Sequence, residues 1–177
     1  MIDNCTFENN EMPNNGGVIQ CCRNEATLIV KNSKFVNNHA LNGGAIYVMN
    51  TNSLLIVDNC TFENNRAQGY KTSCGGAISA HRGNISHSKF INNYAPAKGG
   101  AIYFQNDGIL HNSTFKNNHV DDEGGAIYCS GNLIGDNSTF EIIVPSIAVP
   151  FIVSMQHLHF LNFITIPECM MVVLFGF

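Results

Sequence analysis

Through its first 140 residues the chain runs in short apolar bursts separated by breaks rich in Asn, Asp and Gly. Residues 53–78 serve as a template. Ser53-Leu54-Leu55-Ile56-Val57 is apolar and β-branched, the composition of a strand. Alternation turns Leu55 and Val57 inward, with Leu28 and Val30 at the equivalent places one repeat earlier. Asp58-Asn59 breaks the alternation, since Asn tolerates the bent backbone of a turn. Cys60-Thr61-Phe62 reads as a second short strand with Cys60 and Phe62 inward, and Asn64-Asn65 turns again. After a variable loop, Gly75-Gly76-Ala77-Ile78 forms a third strand with Ile78 inward. Three strands and three turns per period are predicted. No segment carries a 3.6-residue period, and Asn and Gly are weak helix formers, which disfavours a helical solenoid.

The unit recurs. Phe-x-Asn-Asn begins at Phe7, Phe35, Phe62, Phe90 and Phe115, and Phe140 keeps the spacing without the asparagines. Glycine pairs stand at Gly16-Gly17, Gly43-Gly44, Gly75-Gly76, Gly99-Gly100 and Gly124-Gly125. Successive phenylalanines lie 28, 27, 28, 25 and 25 positions apart, a period that marks a solenoid. The predicted fold is all-β: a right-handed parallel β-helix of about five coils over residues 1–140, followed by an irregular hydrophobic tail over 141–177. Phe at one place in every coil predicts an aromatic stack through the core. Asn three positions before Phe (Asn4, Asn32, Asn59, Asn112 and Asn137, with His87 the exception) is expected to bond along a ladder and satisfy buried backbone groups. The glycine pairs permit positive φ and close backbone approach at a corner. Four extra residues, Gln68 to Lys71, lengthen the third copy and are expected to bulge from one corner.

Composition narrows the function. Charged residues make up only 12% of the 177, and net charge is −4. There is no basic stripe for nucleic acid, and the apolar share is too high for disorder. The seven cysteines show neither Cys-x-x-Cys nor zinc-ligand spacing. Cys5 and Cys60 share the position two before Phe, filled elsewhere by Ser33, Ser88, Ser113 and Ser138. A small inward side chain fits better than a disulfide. Two coils, about 9–10 Å, separate the pair, beyond a bridge's reach. Ile2 to Phe7 aligns with Val57 to Phe62, so the chain opens inside a repeat strand and a truncated or partial sequence is expected.

The paired motifs resemble the repeats of the chlamydial polymorphic outer membrane protein family, which alternates Gly-Gly-Ala-(Ile/Leu/Val) with Phe-x-x-Asn. The matching tetrapeptides here are Gly43-Gly44-Ala45-Ile46, Gly75-Gly76-Ala77-Ile78, Gly99-Gly100-Ala101-Ile102 and Gly124-Gly125-Ala126-Ile127, with the variant Gly16-Gly17-Val18-Ile19. The Phe/Asn pairs are Phe7/Asn10, Phe35/Asn38, Phe62/Asn65, Phe90/Asn93 and Phe115/Asn118. The resemblance implies a secreted β-helical passenger acting as an adhesin at the cell surface or outer membrane. Its implied partners are a host or cell-surface protein or carbohydrate. The chain departs from that family in lacking a visible signal peptide and a C-terminal barrel, and in a sixth repeat that stops at Phe140-Glu141-Ile142.

Residues 141–177 contain no Lys, no Arg and one Asn, Asn162. Leu158 to Phe177 is long enough to span a bilayer. Glu168, three prolines and the missing basic flank argue against it. A membrane anchor, a spurious end and a cap over the last coil are the three readings.

No catalytic, cofactor-binding or metal residue is assigned. A polysaccharide lyase or hydrolase of the same fold is the enzymatic alternative, and a non-functional gene fragment the third reading. Hydrolysis needs two carboxyls roughly 5–9.5 Å apart. Four before Phe the column reads Asp3, Lys31, Asp58, Ser86, His111, Asp136; one after Phe it reads Glu8, Val36, Glu63, Ile91, Lys116, Glu141. Neither puts acids on neighbouring coils. Asp121-Asp122-Glu123 reads as a solvated loop, with weak calcium binding the alternative. The histidines, His81 and His87 included, form no ligand set by spacing. Asn-x-Ser/Thr sequons fall at Asn4, Asn59, Asn84, Asn112 and Asn137, four of them at the ladder position, where an inward Asn carries no glycan. Binding is expected through outward tyrosines Tyr47, Tyr103, Tyr128 and the insertion around Tyr70.

Overall fold

The computed structural model describes residues 1–69, 71–141 and 151–153. Every strand pairing in it is parallel and joins equivalent residues of successive coils. Phe62, for example, pairs with Phe35 on one side and Phe90 on the other. The result is a parallel β-helix, with four sheets rather than the three expected.

The first sheet stacks Ile2–Asp3, Thr27–Lys31, Leu54–Asp58, Arg82–Ser86, Gly108–His111 and Leu133–Asp136. The second stacks Thr6–Glu8, Lys34–Val36, Thr61–Glu63, Lys89–Ile91, Thr114–Lys116 and Thr139–Glu141. The third, unforeseen, contains only two-residue strands: His39–Ala40, Arg66–Ala67, Tyr94–Ala95 and His119–Val120. Two residues are too few to show alternation, which hid this sheet in the supposed loop. Its inward column of Ala40, Ala67, Ala95 and Val120 is nevertheless buried. The fourth stacks Ile19–Gln20, Ile46–Val48, Ile78–Ala80, Ile102–Phe104, Ile127–Cys129 and Phe151–Val153. The last strand comes from the hydrophobic tail. Residues 142–150 and 154–177, and with them the candidate membrane span, lie outside the described residues.

The core is built in columns. Phe7, Phe35, Phe62, Phe90, Phe115 and Phe140 stack with ring centroids 4.7–5.0 Å apart, and the three central pairs lie within 2° of parallel. Leu55, Val57, Cys60 and Ile78 are buried as the pattern predicted.

One adjustment breaks the uniformity. The column through Leu28 and Leu55 becomes Gly83 and Gly108 before returning to Leu133. The Phe104 ring fills the vacated volume, and a methyl at Gly83 or Gly108 would overlap it. Large and small residues thus alternate across facing columns to keep interior density constant.

The asparagine ladder runs through a different position from the one expected. Asn4, Asn32, Asn59, Asn112 and Asn137 are exposed turn residues with φ between 44° and 52°, and His87 takes the same conformation at 48°. Asn59 does bond to Asn32, at 2.9 Å, but in solvent. The buried ladder is the one three after Phe: Asn38, Asn65, Asn93 and Asn118, with the exposed Asn10 at its first-coil end. The Asn65 backbone N–H and side-chain amide both donate to Asn93 Oδ1, at 2.9 and 3.1 Å. Its amide also donates to the Phe35 carbonyl at 3.0 Å, and its Oδ1 accepts from Asn38. These amides satisfy backbone groups where the chain turns without sheet bonds. The Ser/Cys column two before Phe does the same on a smaller scale. The Cys60 N–H donates to Ser88 Oγ at 3.1 Å, and the Ser33 N–H reaches Cys60 Sγ at 3.5 Å. Hydrogen bonding, beyond size alone, explains why serine fills this position.

At each glycine pair the two residues have separate roles. Gly75 holds φ at +68°, and a methyl on Gly76 would overlap the Gly100 carbonyl oxygen.

Two stability measurements test this packing. Gly83→Leu is expected to cost about 1–3 kcal/mol by overpacking, and Phe104→Ala about 3–5 kcal/mol. The double variant should lose clearly less than the sum, measured by denaturant unfolding. Asn65→Ala should cost more than about 2 kcal/mol because several buried groups lose partners. The exposed left-handed Asn64→Gly should stay within about 0.5 kcal/mol of the parent.

Candidate functional site

A groove of about 540 Å³ runs along the solenoid between the second and third sheets. Its floor is a row of left-handed asparagines two after Phe: Asn9, Asn37, Asn64 and Asn92, with φ between 53° and 59°. That backbone points their amides outward, and Asn37 donates to Asn9 Oδ1 at 3.2 Å in solvent. The wall is the outward row of the third sheet: Glu11, His39, Arg66 and Tyr94, four after each Phe.

Contacts along the axis order this wall. The Arg66 guanidinium lies 4.4 Å from the Tyr94 ring centroid. His119 stacks on the far side of Tyr94 at 5.7 Å. The Tyr94 hydroxyl donates to Asp121 at 2.6 Å, and His119 pairs with the same carboxylate at 3.4 Å. Burial, followed by the hydrogen bond to Asp121 and then its charge, raises the Tyr94 phenol above its ordinary value and keeps it a donor. Gln68, from the inserted loop, bonds to His39 at 2.7 Å. Both faces of Tyr94 are therefore occupied, and the groove offers a ring edge, a guanidinium and a row of amides one coil apart. Glu11 is the only carboxylate among the described residues lining it. The paired acids of glycoside hydrolysis are not brought together among these lining residues.

The tyrosines predicted for binding lie on the fourth sheet and are half-buried. Tyr103 and Tyr128 stack at 5.6 Å, and Lys98 caps Tyr128 at 4.2 Å from its ring centroid. Ser79 separates Tyr47 from this pair. Tyr70 lies outside the described residues. Glu123 pairs with Lys98 at 2.9 Å, so in the acidic loop Asp121 and Glu123 already hold protein partners. Among the described residues no group of three or more His, Cys, Asp or Glu is arranged to hold a metal ion, and no helix is long and apolar enough to cross a membrane. The Phe, Asn and Gly residues of the repeat motif are placed in the core, the ladder and the corners.

The histidines converge where spacing along the chain gave no sign. At the corner between the first and second sheets, His87 and His111 meet edge to face at 5.3 Å. His87 bonds to Asp58 at 2.9 Å and His111 to Asp136. Ser86 donates to Asp58 at 2.8 Å. The sequon asparagines Asn4, Asn59, Asn112 and Asn137 share this corner and are exposed, contrary to the inward reading. All six cysteines among the described residues are free thiols. Burial pushes Cys60 up, and Cys129 up to about 11, so neither is a thiolate nucleophile at neutral pH.

A family model for the right-handed β-helix region matches residues 2–141, and the chain belongs to that family. That match fixes the hand of the solenoid. No curated protein and no solved structure gives a significant match.

The corner makes a pH prediction. Hydrogen bonds from His87, then Ser86, hold the Asp58 carboxyl below its ordinary value. A depressed acid stabilises the fold above its unfolded pKa, and that contribution fades as pH falls through the folded value. Carboxyl NMR should place the Asp58 midpoint below that of a free aspartate, and His87→Ala should move it upward. An unmoved midpoint would contradict the contact.

Proposed function

We propose that this chain is a non-catalytic β-helical binding module, displayed at a cell surface or outside the cell, that recognises an extended carbohydrate in the Asn/Arg/Tyr groove. The groove geometry carries the reading. Its amides repeat at the coil spacing, about 4.8 Å, and provide a regular row of donors and acceptors for an extended hydroxyl-rich chain. Arg66 adds a fixed cation for an occasional carboxylate or sulfate on that chain. The paired tetrapeptides resemble those of secreted adhesin passengers, which favours surface display over an intracellular role. The acid columns favour binding over hydrolysis: Val36 separates Glu8 from Glu63, and Ser86 and His111 separate Asp58 from Asp136.

Oligosaccharide titration followed by backbone NMR tests the reading. Neutral and uronate-containing oligomers are the probes. Shifts should map to Asn37, Asn64, Asn92, Arg66 and Tyr94, and Arg66→Ala should weaken uronate binding about tenfold, the loss of roughly one charge-assisted bond. Shortened products in the incubated sample would replace this function with an enzymatic one. Shifts confined to the Tyr103/Tyr128 face would move the site.

A further inference from the structure

The outer face of the first sheet has no role in the groove. One row across it reads Ile29, Ile56, Asn84, Ile109 and Ile134, aligned by the strand register. Ile109 and Ile134 are 46% and 52% exposed, and Ile29 and Ile56 are half-buried. These isoleucines face away from the core on a flat parallel sheet. The row reads the same in both directions, with the single polar residue at its centre.

Over the same five coils the neighbouring row on this face reads Lys31, Asp58, Ser86, His111 and Asp136, with Asp3 of the first coil extending beyond it. Reversing its order puts Lys31 opposite Asp136, Asp58 opposite His111, and Ser86 opposite itself. A two-fold axis parallel to the strands and lying over Arg82–Ser86 performs this reversal when two sheets meet face to face. The same operation puts Ile29 on Ile134, Ile56 on Ile109, and Asn84 on Asn84. A self-complementary patch of this kind is what an isologous interface requires. Both rows obey one axis; in the third outward row of that face, Thr27, Leu54 and Arg82, only Arg82 lies on it.

We infer that the outer face of the first sheet is a homodimer interface in which a second copy packs antiparallel along the solenoid axis. Isoleucines form its dry centre. Asn84 meets the partner's Asn84, a polar pair that penalises slipped registers because a shifted copy would bury each amide against isoleucine. Lys31 pairs with the partner's Asp136. Arg82 meets its own image at the edge of the patch, where its guanidinium is turned aside to the Asn52 carbonyl at 3.0 Å. Five strands of four or five residues cover at most about 24 by 16 Å, below the roughly 800 Å² per partner of a standard interface. The dimer is therefore weak and concentration-dependent. Dimerisation leaves the grooves of both copies open, since groove and interface lie on different sheets.

Sedimentation equilibrium of the full chain over a concentration series tests this interface. A monomer–dimer equilibrium is expected, and Ile109→Glu with Ile134→Glu should return the protein to monomer while circular dichroism stays unchanged. Lys31→Glu should weaken the dimer at least tenfold, and adding Asp136→Lys should restore most of the loss. Asn84→Cys should be joined to the second copy by a short bis-maleimide linker that spans the roughly 10 Å between facing sheets, with residue 84 of both copies in the linked peptide. A chain that is monomeric at every concentration overturns the inference. So does association that survives the double glutamate variant, which would place the contact elsewhere, such as the edge of the first coil.

Discussion

A chain that coils around a core must turn four times per circuit, and each turn strands backbone N–H and C=O groups near the apolar interior. The buried asparagine ladder resolves this conflict. The amides of Asn38, Asn65 and Asn93 each donate to the next asparagine and to a Phe carbonyl of the coil before, and accept at Oδ1 from the preceding asparagine, tying a turn to the coil above and the coil below. An aspartate could not donate, and a leucine would leave the backbone groups unpaired at about 1–3 kcal/mol each. The ladder also fixes the vertical register, because a slipped coil would bring an amide against a phenylalanine. The aromatic stack, the flat sheets and the periodic surface all depend on that register.

Register gives the interior little freedom to repack. Where a column changes volume, the facing column must answer on the same coil or the next, as Phe104 does against Gly83 and Gly108. Insertions are confined to corners for the same reason. Gln68 and Gly69, at the start of the longer loop, follow Arg66–Ala67 of the third sheet, and the fourth sheet resumes in register at Ile78–Ala80.

Stacking also shapes recognition. In a solenoid, rings at one position lie face to face along the axis, so Tyr94, Tyr103 and Tyr128 use their faces on protein neighbours. A ligand meets ring edges, amides and the ends of long side chains. This favours regular hydrogen bonding along a polymer over the deep burial of a small molecule. The groove and the apolar stripe lie on separate faces of the molecule.

The sequence by itself determined the repeat, the parallel solenoid, the phenylalanine stack, the glycine corners and the inward places of Leu55, Val57 and Cys60. Each of these is a local property repeated at a fixed interval, which makes it visible along the chain. It misplaced the asparagine ladder, because positions three before and three after Phe are equally regular and only burial separates them. It missed the third sheet, whose two-residue strands are too short to alternate. Only the tertiary structure brought His87 to His111, Arg66 to Tyr94, and the five residues of the isoleucine row into line. These pairs are 24 to 28 residues apart in the chain. Their meeting follows from coils that advance one strand spacing per turn, and it is the register of those turns that chooses the partners.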